Sequence, residues 1–323
     1  MSLPFLQPYF GLSNSLQTAQ GSAAPSEPPS EATRGVFGAG TSGGAVNIME
    51  YITIATTGNT TDFGDLSAAK TNPGAVNSNT RGVFGGGYTT TPINVIDYIT
   101  IATTGNSTDF GDLSTIRSNT CGINSTTRGV IAGGYTSGGT TVNVMEYITI
   151  ATTGNTTDFG DLTVSRRFMA GVDSSTRGIF AGGDDPESNT IDYITIATTG
   201  NATDFGDLLA VKYGQTGCNS STRGIFAGGY NSPSGYTNVI EYITIATTGN
   251  STDFGDLSTN KYGAGAVNSF TRGVIAGGSA PGNVNVIDYI TIATTGNSTD
   301  FGDLSSTRNL LAGVHNGLWY KFI

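Results

Sequence analysis

The sequence predicts an all-β fold, a six-bladed β-propeller closed by its own last strand, and three observations predict it. The first is a repeat. The phrase at residues 51–66, YITIATTGNTTDFGDL, returns with its tyrosine at Tyr98, Tyr147, Tyr193, Tyr242 and Tyr289, at spacings of 47, 49, 46, 49 and 47 residues. A period near 47 suits a four-stranded blade and is too long for one coil of a narrow β-helix. A second phrase, TRG, keeps step at Arg34, Arg81, Arg128, Arg177, Arg223 and Arg272. The second observation is composition: 48 glycines, many Thr, Asn and Ser, and only 12% charged residues, which is not the usage of a helical protein. The third is the order of the pieces. The chain enters at the second strand of a unit, and residues 310–314 match the first-strand segment of the others. That orphan segment can pair with residues 34–40, complete the first blade and leave no open edge.

The chain divides into an N-terminal arm and linker (1–33), the propeller (34–315) and an aromatic tail (316–323) expected to cover the closure seam with Trp319, Tyr320 and Phe322. Residues 1–33 hold no Lys or Arg, which argues against a secretory signal with a basic start. Leu3, Phe5, Leu6, Tyr9, Phe10 and Leu12 form an apolar stretch broken by Pro4 and Pro8, and residues 19–32 read as a flexible tether. An apolar peptide on a tether reads as a docking arm. In the second unit, residues 81–87 are a short strand ending in glycines and 88–93 a loop. Residues 94–102 are the longest strand, apolar on both faces, as expected for a blade between two others. Residues 104–112 read as a turn, with a short strand near 110–113. Gly122 and Ile123 then begin the next unit.

The formal charge of −10 argues against a nucleic-acid partner, and no apolar run is long enough for a membrane-spanning helix. Six of the 14 basic residues are the TRG arginines, and six more follow each GDL by four residues: Lys70, Arg117, Arg166, Lys212, Lys261 and Arg308. Eighteen of the 24 acids stand at three repeated positions. Charge therefore belongs mainly to the scaffold. The TRG arginines are expected near the Asp pairs of TDFGD, and the Lys70 set near the acids equivalent to Glu50. Cys121 and Cys218 fall at different offsets in units two apart, too distant in a ring for a disulfide.

The unit resembles a kelch-type propeller repeat. The resemblance rests on the glycine pairs ending the second strand (Gly86 and Gly87, for example), the acid–tyrosine pair of the third (Asp97 with Tyr98) and a basic residue before the first strand (Arg117, Arg166). Kelch units usually carry a Trp soon after the tyrosine, whereas here Phe63 and its equivalents come 12 residues later. The YITIATTGN-TDFGDL wording is also similar to repeats in structural proteins of marine bacterial viruses, cyanophages in particular. That resemblance implies a virion component such as a tail, fibre or decoration protein. Fold alone does not fix function.

The turn TTDFGDL partly matches the sialidase Asp-box, through Thr60, Asp62 and Gly64, and that box is a structural turn. Glycoside hydrolysis needs two carboxylates in unlike environments, but nearly every acid here occurs six times, so no catalytic constellation is expected. His315 is the only histidine, which leaves no metal cage and no expected cofactor. Asp62 and Asp65 offer oxygens for Ca²⁺ or, in the simpler reading, cap backbone amides in the turn.

A propeller's turns alternate between two faces. One is nearly identical six times. The other varies and is rich in Tyr, Ser, Gly and Asn, a composition suited to adaptable recognition. Its candidate contact residues are Tyr88, Tyr135, Tyr213, Tyr230, Tyr236 and Tyr262, with Arg167, Phe168, Asp184, Asp185 and Glu187 marking the fourth blade as the least symmetric place. The expected role is a non-enzymatic structural and binding module of a virus particle. The arm would dock it to other virion proteins, with a second copy of the chain as a further partner, and the variable face would meet a host glycan or protein. A glycan-active enzyme and a free kelch-like adaptor are the alternatives.

Overall fold

The structure, a computed structural model, describes Met1, residues 33–232 and residues 234–317, so the arm residues Leu3 to Leu12 and the aromatics Trp319, Tyr320 and Phe322 lie outside the described residues. Six antiparallel sheets form a six-bladed β-propeller, with no helix among the described residues. In the second blade the strands run Gly74–Asn77, Arg81–Gly85, Ile93–Thr100 and Thr108–Ser118, each paired with the next. The first blade is assembled from both ends of the chain. Ala312–His315 is its innermost strand and pairs with Arg34–Gly38 in the register Gly35↔His315, Val36↔Val314, Phe37↔Gly313 and Gly38↔Ala312. The expected closure is what the chain adopts.

The blades are held face to face by six equivalent apolar cores. Val83, Ile96, Phe110 and Leu113 of the second blade pack on Ile131, Ile148 and Ile150 of the third. The same set recurs across the closure, where Phe37, Ile52 and Ile54 meet Val274, Ile287, Phe301 and Leu304 of the sixth. The third strand is apolar on both faces because one face serves each neighbouring core. Each such side chain contributes roughly 1.5–3 kcal/mol of burial.

At the axis the innermost strands approach so closely that one position accepts only Gly or Ala. A Cβ on Gly122 would lie 2.0 Å from Ala75 O, one on Gly217 2.2 Å from Gly171 O, and one on Gly313 2.1 Å from Ala266 O. Cys121 and Cys218 are free and buried nearby.

Two parts of the sequence reading are corrected. TDFGD is not a turn. It is the outermost strand, with Tyr98↔Thr108, Asp97↔Asp109 and a bulge before Ile96↔Gly111. The turn is the preceding TTGN, and it covers the outer edge of the previous blade. Gly105 N donates to Phe63 O at 2.7 Å, Ser107 N to Asp65 O at 2.8 Å, and Asp65 N to Asn106 Oδ1 at 3.0 Å. The Asn contact recurs from every blade to the next, including Asp303 N to Asn59 Oδ1 across the closure. An exposed strand edge is thereby blunted. The TRG arginines do not pair with the aspartates either. Arg81 lies over the Tyr98 ring at 4.2 Å and donates to Ile150 O of the next blade at 2.9 Å. A guanidinium stacked on an aromatic face keeps its edge free for a carbonyl, which favours this place over an exposed ion pair.

The second charge expectation holds. Lys70–Asp97 (2.6 Å), Arg166–Asp192 (2.7 Å) and Lys261–Asp288 (2.7 Å) link each interblade connection to the third strand of the next blade, as do Arg117–Glu146 and Lys212–Glu241. Arg308–Glu50 does the same across the closure. These pairs are buried, so each cation is desolvated. Burial lowers the pKa of Lys70, Arg117, Arg166, Lys261 and Arg308, while the partner carboxylate opposes that shift.

Candidate recognition site on the variable face

Two residues after each buried cation the chain adopts the left-handed conformation, at Asn72, Asn119, Phe168, Gly214, Gly263 and Leu310. These six stand around the channel mouth and bond in a closed circle. Asn119 N donates to Asn72 O, Phe168 N to Asn119 O, Gly214 N to Phe168 O, Gly263 N to Gly214 O, Leu310 N to Gly263 O, and Asn72 N to Leu310 O, at 2.6–3.1 Å. Gly and Asn adopt this conformation readily, whereas a Phe or Leu there costs roughly 1–2 kcal/mol. The mouth opens into a cavity of about 140 Å³ whose wall includes Asn119, Thr120, Phe168, Gln215 and Leu310.

The candidate residues converge on one side of this mouth. Phe168 lies 6.1 Å from Tyr213 and 5.9 Å from Tyr262, and Tyr213 lies 5.7 Å from Tyr262. Tyr230 stands 5.5 Å from Tyr213 and 5.2 Å from Tyr236, which reaches back to Tyr262 at 6.4 Å. The chain sets these positions in two ways. Tyr213 and Tyr262 follow buried cations directly and are anchored by bridges to Tyr230 and Ser279. Tyr230 and Tyr236 face each other in a small hairpin of their own, Tyr230–Asn231 with Gly235–Tyr236. Gly214 makes room, since a Cβ there would fall 2.1 Å from the Tyr262 ring.

Arg167 flanks the cluster. It lies over Tyr135 at 4.8 Å and over Phe168 at 5.6 Å, and its Nε and Nη2 both reach Asp184 Oδ2, at 3.1 and 2.9 Å. Asp185 accepts from Thr141 Oγ1 at 2.6 Å. Glu187 is close enough to act on Tyr213. Burial raises the Tyr213 pKa, and Asp184, Glu187 and Tyr230 add to the rise. Tyr262 moves the same way, by burial and then by Tyr213 and Asp184. Both phenols therefore stay protonated and can donate. Tyr88 stands apart: it is 42% exposed on the second blade, bridged to Thr71 and outside the ring contacts.

Sequence reasoning missed Gly214, Gln215 and the mouth circle. The available signal was Asn or Gly two residues after the cation in four of six units. Among the described residues no group of three or more His, Cys, Asp or Glu is placed to hold a metal ion. No family model and no curated protein matches this sequence.

Proposed function

We propose that the protein is a non-enzymatic structural and binding module of a virus particle, with the aromatic side of its variable face as the recognition surface. The observation that supports this best is the departure from symmetry. Five aromatic rings and an Arg–Asp pair gather on the fourth and fifth blades, flanked by Tyr135 of the third, while the remaining blades repeat the scaffold. Partly exposed aromatic side chains with polar tips suit a recognition surface. The virion assignment, and docking by residues 1–18 to other virion proteins, rest on the resemblance of the repeat wording and on the apolar arm.

One deletion, one substitution and one turnover assay test the reading. The full chain is expected to co-purify with particles, and the chain lacking residues 1–18 to remain folded and be lost from them. Tyr213→Ala should stay on particles while weakening host attachment. Turnover of a glycan with a defined pH optimum, abolished by mutating one acid, would instead establish an enzyme. Particle association indifferent to the arm would remove the docking role.

A further inference from the structure

We infer, building on the recognition reading above, that the cluster binds an uncharged glycan, with pyranose rings seated on Phe168, Tyr213 and Tyr262 at the channel mouth and extending toward Tyr230 and Tyr236. The rings form one continuous patch, each within 6.4 Å of its neighbour. Pyranoses present apolar C–H faces that lie on aromatic rings, and hydroxyls that need partners around the rim.

Charge separates neutral from acidic sugars. Arg167 is the cation in contact with the cluster, and Asp184 holds it in a two-point contact. Asp185 and Glu187 add two carboxylates that form no ion pair among the described residues, leaving the site with an excess of negative charge. A sialic or uronic carboxylate would be repelled there and would have to compete with Asp184 for the Arg167 guanidinium.

Polar groups accompany the rings and the cavity wall. The phenols are donors. Gln215 is 5% exposed and lines the mouth cavity. Its Nε2 donates to Ala181 O at 2.8 Å, while its Oε1 has no protein donor. A buried acceptor without a protein donor is costly, and Gln215 carries that cost in the wall of the mouth cavity. Phe168 occupies this place in a strained backbone conformation (φ 56°) that Asn or Gly fills in four of the other blades. Strain of this kind concentrates at ligand sites.

The test uses the full chain with neutral hexose oligosaccharides and with sialylated and uronic oligosaccharides of equal length, titrated at pH 7.5 and low salt. Neutral sugars are expected to bind at least ten-fold more tightly. The gap should narrow in the Asp185→Asn, Glu187→Gln double variant. Tyr213→Ala and Tyr236→Ala should each weaken neutral binding ten-fold or more, and Tyr213→Phe less. Phe168→Gly should also lose binding while melting no lower than the parent, since it relieves the backbone. Preference for acidic sugars, or neutral binding unmoved by these variants, overturns the inference. So does binding of no saccharide at all. If a host protein is then bound in a Tyr213-dependent way, the recognition reading survives without the glycan; if nothing is bound through this face, both fall.

Discussion

The end of the channel opposite the mouth carries a residue whose charge should control stability. The innermost strands end in Asn77, Asn124, Asp173, Asn219, Asn268 and His315, so four blades use Asn where the fourth uses Asp. Asp173 Oδ2 accepts from Asn124 N at 2.8 Å, and Asn219 Nδ2 donates to Asp173 O at 2.8 Å. Burial raises its carboxyl pKa from 3.8 to about 7, more than the bond from Asn124 lowers it. The folded protein therefore holds a proton that the unfolded chain has released between about pH 4 and 7. Stability from this group is complete below pH 4 and is lost as pH rises through 7. A difference of about three pH units, at about 1.4 kcal/mol each, amounts to about 4 kcal/mol at pH 8. Asp173→Asn keeps the acceptor for Asn124 N and removes the charge. It is expected to raise stability by up to about 4 kcal/mol at pH 8 and by little at pH 4, measured by urea unfolding at both. His315 acts in the other sense. Burial lowers its imidazole to about 4, so stability falls as pH drops from 6.5 toward 4. His315 keeps part of its surface in solvent, so Asp173, buried throughout, carries the larger effect. A variant no more stable than the parent at pH 8, or a gain equal at both pH values, would refute the reasoning.

The buried ion pairs, the axial glycines and the cysteines give three more expectations. Asp97→Ala strands the Lys70 ammonium and should cost about 3–5 kcal/mol in denaturant unfolding, whereas Lys70→Met with Asp97→Leu should restore most of it. Gly217→Val places a side chain against Gly171 O, where the Cβ alone would sit at 2.2 Å. It should cost about 3 kcal/mol or more, read as a lowered Tm or loss of soluble protein. Burial pushes both thiols up to about 12, so Cys121 and Cys218 should resist a thiol reagent at pH 8 in the native protein and react on unfolding.

The repeat carried most of the fold because it fixes blade size and count, and the left-over first-strand segment at residues 310–314 showed how the ring shuts. TDFGD was harder. Gly and Asp are poor strand formers in isolation, so the segment reads as a turn. The bulge between Ile96 and Asp97 and the bonds from the next blade's TTGN turn make it a strand instead, and both are tertiary. The arginine partners were missed for a similar reason. Spacing shows that Arg81 and Asp109 recur together, but not that Tyr98 lies beneath the guanidinium. The tyrosines were visible as a composition of one face. Their gathering beside Phe168 was not, because it depends on which loops meet across three blades.

The constancy of the repeated phrase has a structural cause that bears on where binding can occur. Its Tyr supports an Arg, the Phe of TDF packs edge-on against that Tyr at 6.0–6.2 Å, its Asn reaches the previous blade, and the acid immediately before its Tyr holds a buried cation. Every one of these contacts joins one blade to another or braces a blade internally, and each is repeated at the closure by Arg272 with Ile54 O, Asp303 with Asn59 and Arg308 with Glu50. Six near-identical copies therefore need no six-fold ligand to explain them. The interblade contacts demand identity on one face and place no such demand on the loops of the other. Departure from the pattern, as at Phe168 with its strained backbone beside four Asn or Gly equivalents, is thus the more informative signal in this fold.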